Sequence, residues 1–426
     1  MLIHTVQRGE TLYSIAARYG VDPSLLSIDN GVDEGGALAV GQSLVVRRAE
    51  TFHVVQSGES LSSIAARYGI SLRTLYRNNY RLEGDAAIEP GETLVITYED
   101  TPTDSIVTNG YAYPYIRRQM LSATLPYMSY LTPFTYGLSA SLSLLPLDDG
   151  MLLSEGSRLG TAALMHLSSL TEDGNFSSQR AADLLGNETA QDAIIGEIAA
   201  VMAQKGYRGL DVDFEFIPAA RREDYARFIR KLHDRLSPMG YPVLVALAPK
   251  TYAAQPGLLY EAHDYALLSA AADYVLLMTY EWGYTYGPPM AVAPLPNVRR
   301  VIEYALTEMP PEKIFLGIPN YGYDWPLPFV RGETRAQSIS NQEAVAIAVR
   351  EGAEIEYDER AQSPHFRYTA FDGVVHEVWF EDARSMREKL LLISEYGLYG
   401  AGYWNLMRPY PQGWVLLNGL YHVKTI

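Results

Sequence analysis

The stretch GLDVDFEFI, residues 209–217, carries three acids at strict two-residue spacing, Asp211, Asp213 and Glu215. Leu210, Val212, Phe214 and Phe216 alternate with them. A period of two belongs to a β-strand, so the acids share one face and the apolar residues the other. Two placements follow. On a surface strand the acids face water and the apolar side chains face the core. On a strand whose acid face turns inward, three adjacent carboxylates are costly unless hydrogen bonds, shared protons or a ligand compensate them. Only the second placement suits proton-transfer catalysis.

The elements that must position these acids decide between the two. From about residue 105 onward, strand-like runs alternate with helical stretches. The strand candidates are SIVTNGYAY (105–113), YLTPFTYGL (130–138), TAALMHLSS (161–169), GLDVDFEFI (209–217), YPVLVALAP (241–249), ADYVLLMTYEW (272–282), KIFLGIPNYGY (313–323) and LYGAGYWNL (398–406). Amphipathic helices, QDAIIGEIAAVMAQKG and RREDYARFIRKLHDRL, flank the acidic run. This alternation predicts an α/β fold, a (β/α)8 barrel. In such a barrel Leu210, Val212, Phe214 and Phe216 pack outward under the helices. The acids line the interior and rise toward the C-terminal mouth, where catalysis is the economical explanation for them.

At 426 residues the chain exceeds one ordinary core, so two or three domains are expected. The net charge of -16 argues against nucleic acid or an anionic membrane as partner. A polymeric ligand would be held by hydrogen bonds and stacking, which 32 tyrosines can supply. No apolar run approaches the length of a membrane span. Without cysteines there is no disulfide framework and no thiolate chemistry. The eight histidines are scattered, HEVWF (376–380) lacks the second histidine of a zincin helix, and no GxSxG elbow occurs, so neither a metal nor another cofactor is expected. The start, MLIHTVQRGE, has neither the basic nor the apolar region of a secretion signal, which has been removed or never existed.

The N-terminal part is a duplication. HTVQRGETLYSIAARYGV from His4 recurs as HVVQSGESLSSIAARYGI from His53. Each copy reads as strand, helix, helix, strand. Thr11 or Ser60 caps the first helix, Gly20 or Gly69 stops it, and in the first copy Asp22-Pro23 opens the second. The copies run from 3 to 47 and from 52 to 98, with a linker at 99–105 and the large domain over 106–426. They resemble the LysM module, which binds polymers containing N-acetylglucosamine. The resemblance rests on V-x-x-G-E-[TS]-L, I-A-x-R-Y-G and the Asn before the closing loop. It implies one sugar groove lined by Gly9, Glu10, Thr11, Asp29 and Asn30, and another lined by Gly58, Glu59, Ser60, Asn78 and Asn79.

The large domain resembles glycoside hydrolase family 18, whose signature DxxDxDxE lies on the fourth barrel strand. Met278-Thr279-Tyr280, Gly317-Ile318-Pro319 with Tyr321-Gly322, and Trp404 agree with the sixth, seventh and eighth strands of that family. The complete expectation is a TIM barrel with a short α+β insertion, about 332–385, between strands seven and eight, preceded by two LysM (βααβ) modules. Three positions depart from the pattern. Arg208 replaces the first Asp, Glu281 stands where Asp is usual, and Ser168-Ser169 replaces the end of S-x-G-G.

The resemblance also implies roles. Glu215 is the general acid, and the substrate's 2-acetamido carbonyl is the nucleophile. Asp213 holds the acetamido N–H, Asp211 shares a proton with Asp213, and Tyr280 bonds the acetamido oxygen. Trp404 stacks under the sugar, and Tyr111, Glu281, Asn320 and Tyr321 are further sugar contacts. Tyr111, Tyr113 and Tyr321 read equally well as site or core, and Met278 as packing.

Two LysM modules ahead of such a barrel, together with GYAYP in its first strand, resemble the spore-cortex-lytic N-acetylglucosaminidases of endospore-forming bacteria. That resemblance implies a monomer acting on peptidoglycan strands, with no nucleic-acid or membrane partner, and placed at the spore or, alternatively, secreted to the wall. The rival expectations are a chitinase and an inactive glycan-binding protein of the coat or wall.

Overall fold

The computed structural model describes residues 1–84 and 87–426. Each N-terminal copy is a two-stranded antiparallel sheet with two helices packed on it. In the first, Leu2–Thr5 pairs with Ser43–Val46 around the helices Leu12–Tyr19 and Pro23–Asn30. In the second, Ala49–Val54 pairs with Thr93–Tyr98 around Leu61–Tyr68 and Leu72–Asn78. The caps act as the sequence predicts. Thr11 accepts from the Ser14 amide, Ser60 from the Ser63 amide and Asp22 from the Ser24 amide. Gly20 and Gly69 stop their helices with φ of 66° and 67°, where a Cβ would be strained.

The large domain is a closed parallel barrel of eight strands: β1 (Asp104–Ala112), β2 (Tyr130–Pro133), β3 (Ala162–Ser168), β4 (Gly209–Asp213), β5 (Val243–Leu247), β6 (Tyr274–Leu277), β7 (Ile314–Pro319) and β8 (Gly400–Trp404). Pairing of Gly400–Tyr403 with Val107–Gly110 closes it. The acidic strand behaves as its alternation demands as far as Glu215. Leu210, Val212 and Phe214 are fully buried on the outer face. Phe214 stacks between Tyr225 and Phe228 of the helix Arg222–Leu236, with ring centroids 5.8 and 5.9 Å away.

Phe216 does not follow. The strand ends at Asp213, and Phe216 takes a left-handed φ of 55° that turns it 39% into solvent, so Ile217 fills the buried position instead. The additional sheet between β7 and β8 also differs from expectation. Its first strand, Gly322–Pro326, lies before position 332 and pairs with Gln337–Ile339 and Val375–Trp379. The barrel end and the insertion therefore share the segment that follows Tyr321.

Both modules clamp the last barrel helix, Pro411–Leu420. Gln412 donates to Asn30 Oδ1 at 3.0 Å and to the Ser43 carbonyl at 2.8 Å, and Asn418 donates to Asn78 Oδ1 at 2.9 Å. From the second module, Arg73 donates to the Leu125 and Gly160 carbonyls and Arg77 to those of Pro126 and Val423. Arg47 of the first module pairs with Asp100 at 3.0 Å and lies over the Tyr98 ring. The Gln412 and Asn418 bonds and the charge-assisted Arg73 and Arg77 bonds fix the modules against the barrel, while Arg47 ties the first module to the second and to the linker.

Candidate active site

Asp213, the last residue of β4, and Glu215 just beyond it open into a cavity of about 250 Å3 at the C-terminal end of the barrel. Asp213, Glu215, Tyr111, Tyr280, Glu281 and Trp404 all line it, together with an aromatic wall from several strands. Depth separates the three acids: Asp211 is fully buried, Asp213 nearly so, and Glu215 half-buried at the opening.

Tyr111 donates from β1 to Asp211 Oδ2 at 2.6 Å. The other oxygen of Asp211 and the Oδ1 of Asp213 have no hydrogen-bond partner. Two neighbouring buried carboxyls with open oxygens suit a shared proton better than two charges. Burial pushes Asp211 up to about 7 even though the Tyr111 bond pulls it back. Asp213 is held well above the usual carboxylate range by burial, then by the charges of Glu215 and Asp211. Burial, then the Glu281 charge, raise Glu215 to about 7. A carboxyl that titrates there keeps its proton in mildly acidic solution and can give it to a leaving group.

Tyr280 follows β6 and presents a hydroxyl whose pKa is well above its ordinary value, first through burial and then through Asp213 and Glu215. It stays a neutral donor. Trp404, at the end of β8, packs against Phe134 at 5.0 Å and Tyr111 at 5.6 Å between ring centroids and forms a floor. Tyr113 and Met278 also line the cavity, so Met278 has a place there that its packing reading missed.

Two expected sugar contacts are otherwise engaged. Tyr321 lies behind the cavity wall and donates to Glu281, as does Tyr323 at 3.1 Å, so these hydroxyls orient the Glu281 carboxylate. Asn320 is buried, and its amide donates to the Asn405 and Arg408 carbonyls, tying the loop after β7 to the one after β8.

The module residues need a similar correction. Asn30 donates to the Leu26 and Val45 carbonyls and accepts from the Val45 amide. Asn79 makes the same three bonds with Leu75 and Val95. Each Asn completes its module's strand-to-helix seam, which is why it recurs in both copies. Asn78 donates to the Ile96 carbonyl and faces Asn418, while Asp29 is buried beside Arg47. Asn30 faces a small pocket of about 50 Å3 shared with Asn341 and Gln412 of the large domain, and Asp29 one of about 130 Å3 shared with Phe52 and Tyr98 of the second module. Glu10 and Glu59 brace their loops, each bonded to a histidine (His4 at 2.7 Å, His53 at 2.6 Å) and to a backbone amide. Gly9, Thr11, Gly58 and Ser60 remain at the surface.

Asp29 carries a stability prediction. Burial pushes its carboxyl up to about 7, and Arg47 offsets only part of this. Between the unfolded value near 4 and about 7 the folded state binds more protons than the unfolded chain, so folding stability falls as pH rises through that window. Asp29→Asn should shrink the drop in melting temperature between pH 5 and pH 8. An unchanged drop would mean the carboxyl is compensated at both pH values.

Some lining residues carried no motif. Phe134, Phe176, Tyr260 and Trp282 complete the aromatic wall. His166 on β3 is fully buried between Tyr111 and Phe134, with ring centroids 5.7 and 4.8 Å away. Its signal was parity: His166, like Ser168, falls on the inward face of TAALMHLSS. Ser168 is buried beside the Thr135 hydroxyl at 3.1 Å, and Ser169 is buried with its hydroxyl unpartnered.

Known proteins resemble both parts of the chain. The model of glycosyl hydrolases family 18 matches residues 168–408, and that of the LysM domain matches 4–47 and 53–97. The chain is 40% identical to the cortical fragment-lytic enzyme of Bacillus subtilis (strain 168), over 99% of both chains. It superposes on the crystal structure of the Bacillus cereus spore cortex-lytic enzyme SleL with a TM-score of 0.84, at 35% identity, covering 99% of this chain and 98% of that one. A chitinase from Chromobacterium violaceum matches 74% of this chain and 99% of its own, with a TM-score of 0.68 and 25% identity. The chain belongs to glycosyl hydrolases family 18: it is a glycoside hydrolase that carries two LysM domains ahead of its barrel.

Proposed function

We propose that the chain hydrolyses the β-1,4 bond between N-acetylglucosamine and muramic residues in spore-cortex peptidoglycan, with retention of configuration and with the substrate's own acetamide as nucleophile. The observation that carries the mechanism is the graded column of three protonatable carboxyls, two on β4 and one just beyond its end, facing a neutral tyrosine hydroxyl. A conventional two-carboxylate glycosidase needs a second free acid across the sugar. The remaining acid of the cavity lining, Glu281, is already engaged by two tyrosine hydroxyls.

In this reading the cleaved N-acetylglucosamine lies on Trp404 with its acetamide directed into the cavity. Glu215 protonates the glycosidic oxygen as that bond breaks. The acetamido carbonyl oxygen attacks the anomeric carbon and gives an oxazolinium ion. Asp213 accepts the acetamido N–H and balances the positive charge, Asp211 stores the proton that lets Asp213 ionise, and Tyr280 donates to the acetamido oxygen. Water activated by Glu215 then opens the ring and restores the acid. Glu281 contacts a sugar hydroxyl at the rim.

Similarity along nearly the whole chain to enzymes named for cortical fragments and spore cortex supports the substrate and a spore location. The exposed loops around Gly9–Thr11 and Gly58–Ser60 hold glycan in this reading, acting from a monomer. Mass spectrometry of products from purified spore cortex and colloidal chitin tests this reading. The expected products are muropeptides newly ending in reducing N-acetylglucosamine, absent with Glu215→Gln. Release from chitin alone would make the chain a chitinase, and no product from either would make it a binding protein.

A further inference from the structure

His166 is a buried titratable group beside Asp213 that this mechanism leaves unused. Its Nε2 lies 3.9 Å from Asp213 Oδ2, beyond hydrogen-bond length but inside the sweep of the carboxyl. Asp213 Oδ1 has no partner, so that end of the carboxyl is not tethered. The opposite ring nitrogen is fixed: Nδ1 lies 2.6 Å from the Thr135 hydroxyl. The ring is further held by edge contact with Tyr111 and by Phe134. A histidine anchored on one side, with its other nitrogen aimed at an untethered carboxyl, can act on that carboxyl with little further ordering.

We infer that His166 is a positioning residue for Asp213: its Nε2–H is the neutral donor that receives the Asp213 carboxylate when Asp213 ionises to hold the acetamide. This role requires the tautomer in which the Thr135 hydroxyl, which also lies 3.0 Å from the Tyr136 carbonyl and 3.1 Å from Ser168 Oγ, donates to Nδ1 and leaves the ring proton on Nε2, where a carboxylate needs a donor. Burial drives the imidazole down to about 3, so it remains neutral and adds no charge to the site. That neutrality matters because the other groups around Asp213 are acids or phenols. They are Asp211 on its own strand, Glu215 just beyond the strand's end, Tyr111 from β1, Tyr280 after β6 and Tyr225 from the following helix. A phenol donates only if it is not already committed, and Tyr111 is committed to Asp211. His166 is thus an additional uncharged donor able to favour the ionised form of Asp213.

The inference rests on reading Asp213 as the acetamide partner, and its test separates the two. The pH profile of kcat/KM is measured for His166→Phe, His166→Gln, Thr135→Val and Asp213→Asn, with melting temperatures alongside. His166→Phe keeps the ring volume and removes the donor. It should lose about 10- to 100-fold in kcat, the scale of one hydrogen bond to a charged group. Its acid limb should move up by about one pH unit, because Asp213 then ionises less readily. His166→Gln, which can place an amide donor near Nε2, should recover part of both effects. Thr135→Val, which frees the tautomer and leaves His166 in place, should move the acid limb the same way by less. It keeps the test open if the Phe variant does not fold. An acid limb that stays in place in the folded His166 and Thr135 variants, or a Gln variant no better than Phe, overturns the role assigned to His166. If Asp213→Asn is as active as the parent, the acetamide reading fails and this inference falls with it.

Discussion

Glu215→Gln should lower kcat by about 10²- to 10⁴-fold, the usual worth of a positioned general acid. The amide matches the carboxyl in size and keeps a hydrogen bond to the glycosidic oxygen, but it has no proton to give. Polymer binding should survive, because the half-buried Glu215 side chain is one of many groups in a cavity whose floor is Trp404. The parent's pH profile should show the same group. Burial and the Glu281 charge hold the Glu215 carboxyl up at about 7. The acid is competent only while protonated, so Glu215 should set the basic limb, with activity falling as pH rises through that value. The column of acids titrates as a cluster, so the limb belongs to the cluster. Comparing kcat and sedimentation with cortex for both proteins checks the prediction. A Gln variant within a few-fold of the parent would remove Glu215 from the acid role.

The next largest loss is expected from Asp213→Asn, about 10²- to 10³-fold, the scale for removing one group aimed at developing charge. Asn keeps the shape and can still accept the acetamido N–H through its carbonyl. It cannot ionise, so the positive charge of the oxazolinium goes unbalanced in a site walled by Phe134, Tyr113, Leu276 and Trp404. The substitution should not unfold the barrel, because Asp213 is already held well above the ordinary carboxylate range and an uncharged side chain suits the site. Single-turnover rates on a chromogenic N-acetylglucosaminide, together with a melting temperature at or above that of the parent, would bear this out. A stable variant with full activity would contradict the role given to Asp213.

The acids were legible because a period of two leaves little freedom: once β4 belongs to a barrel, Asp211, Asp213 and Glu215 must face inward. The alternation outlasts the strand, which ends at Asp213, as far as Glu215, and the left-handed turn at Phe216 breaks it. The order of strands around the barrel followed from alternation with helices, since each parallel neighbour requires a crossover. Positions set by tertiary pairing were not legible. Asn30 and Asn79 recur in the two copies as a ligand-binding residue would, yet they recur because each stitches a helix end to its closing strand. Nothing local to QGWVLLNG states that Gln412 and Asn418 dock one module each. Asn320 and Tyr321 sit in a matched motif beside the site and serve its walls. His166 was within reach, since inward parity on β3 places it level with Asp211, but no motif drew attention to a lone histidine.

The central claim is that the substrate's acetamide, and no carboxylate of the protein, attacks the anomeric carbon. Proton NMR of the first product formed from a defined β-linked N-acetylglucosaminyl substrate tests it most directly, recorded before mutarotation and repeated with the 2-acetamido group replaced by hydroxyl. The account predicts a β-configured reducing end from the first substrate and no detectable turnover of the second. An α-configured product, or comparable cleavage of the substrate lacking the acetamide, would contradict it.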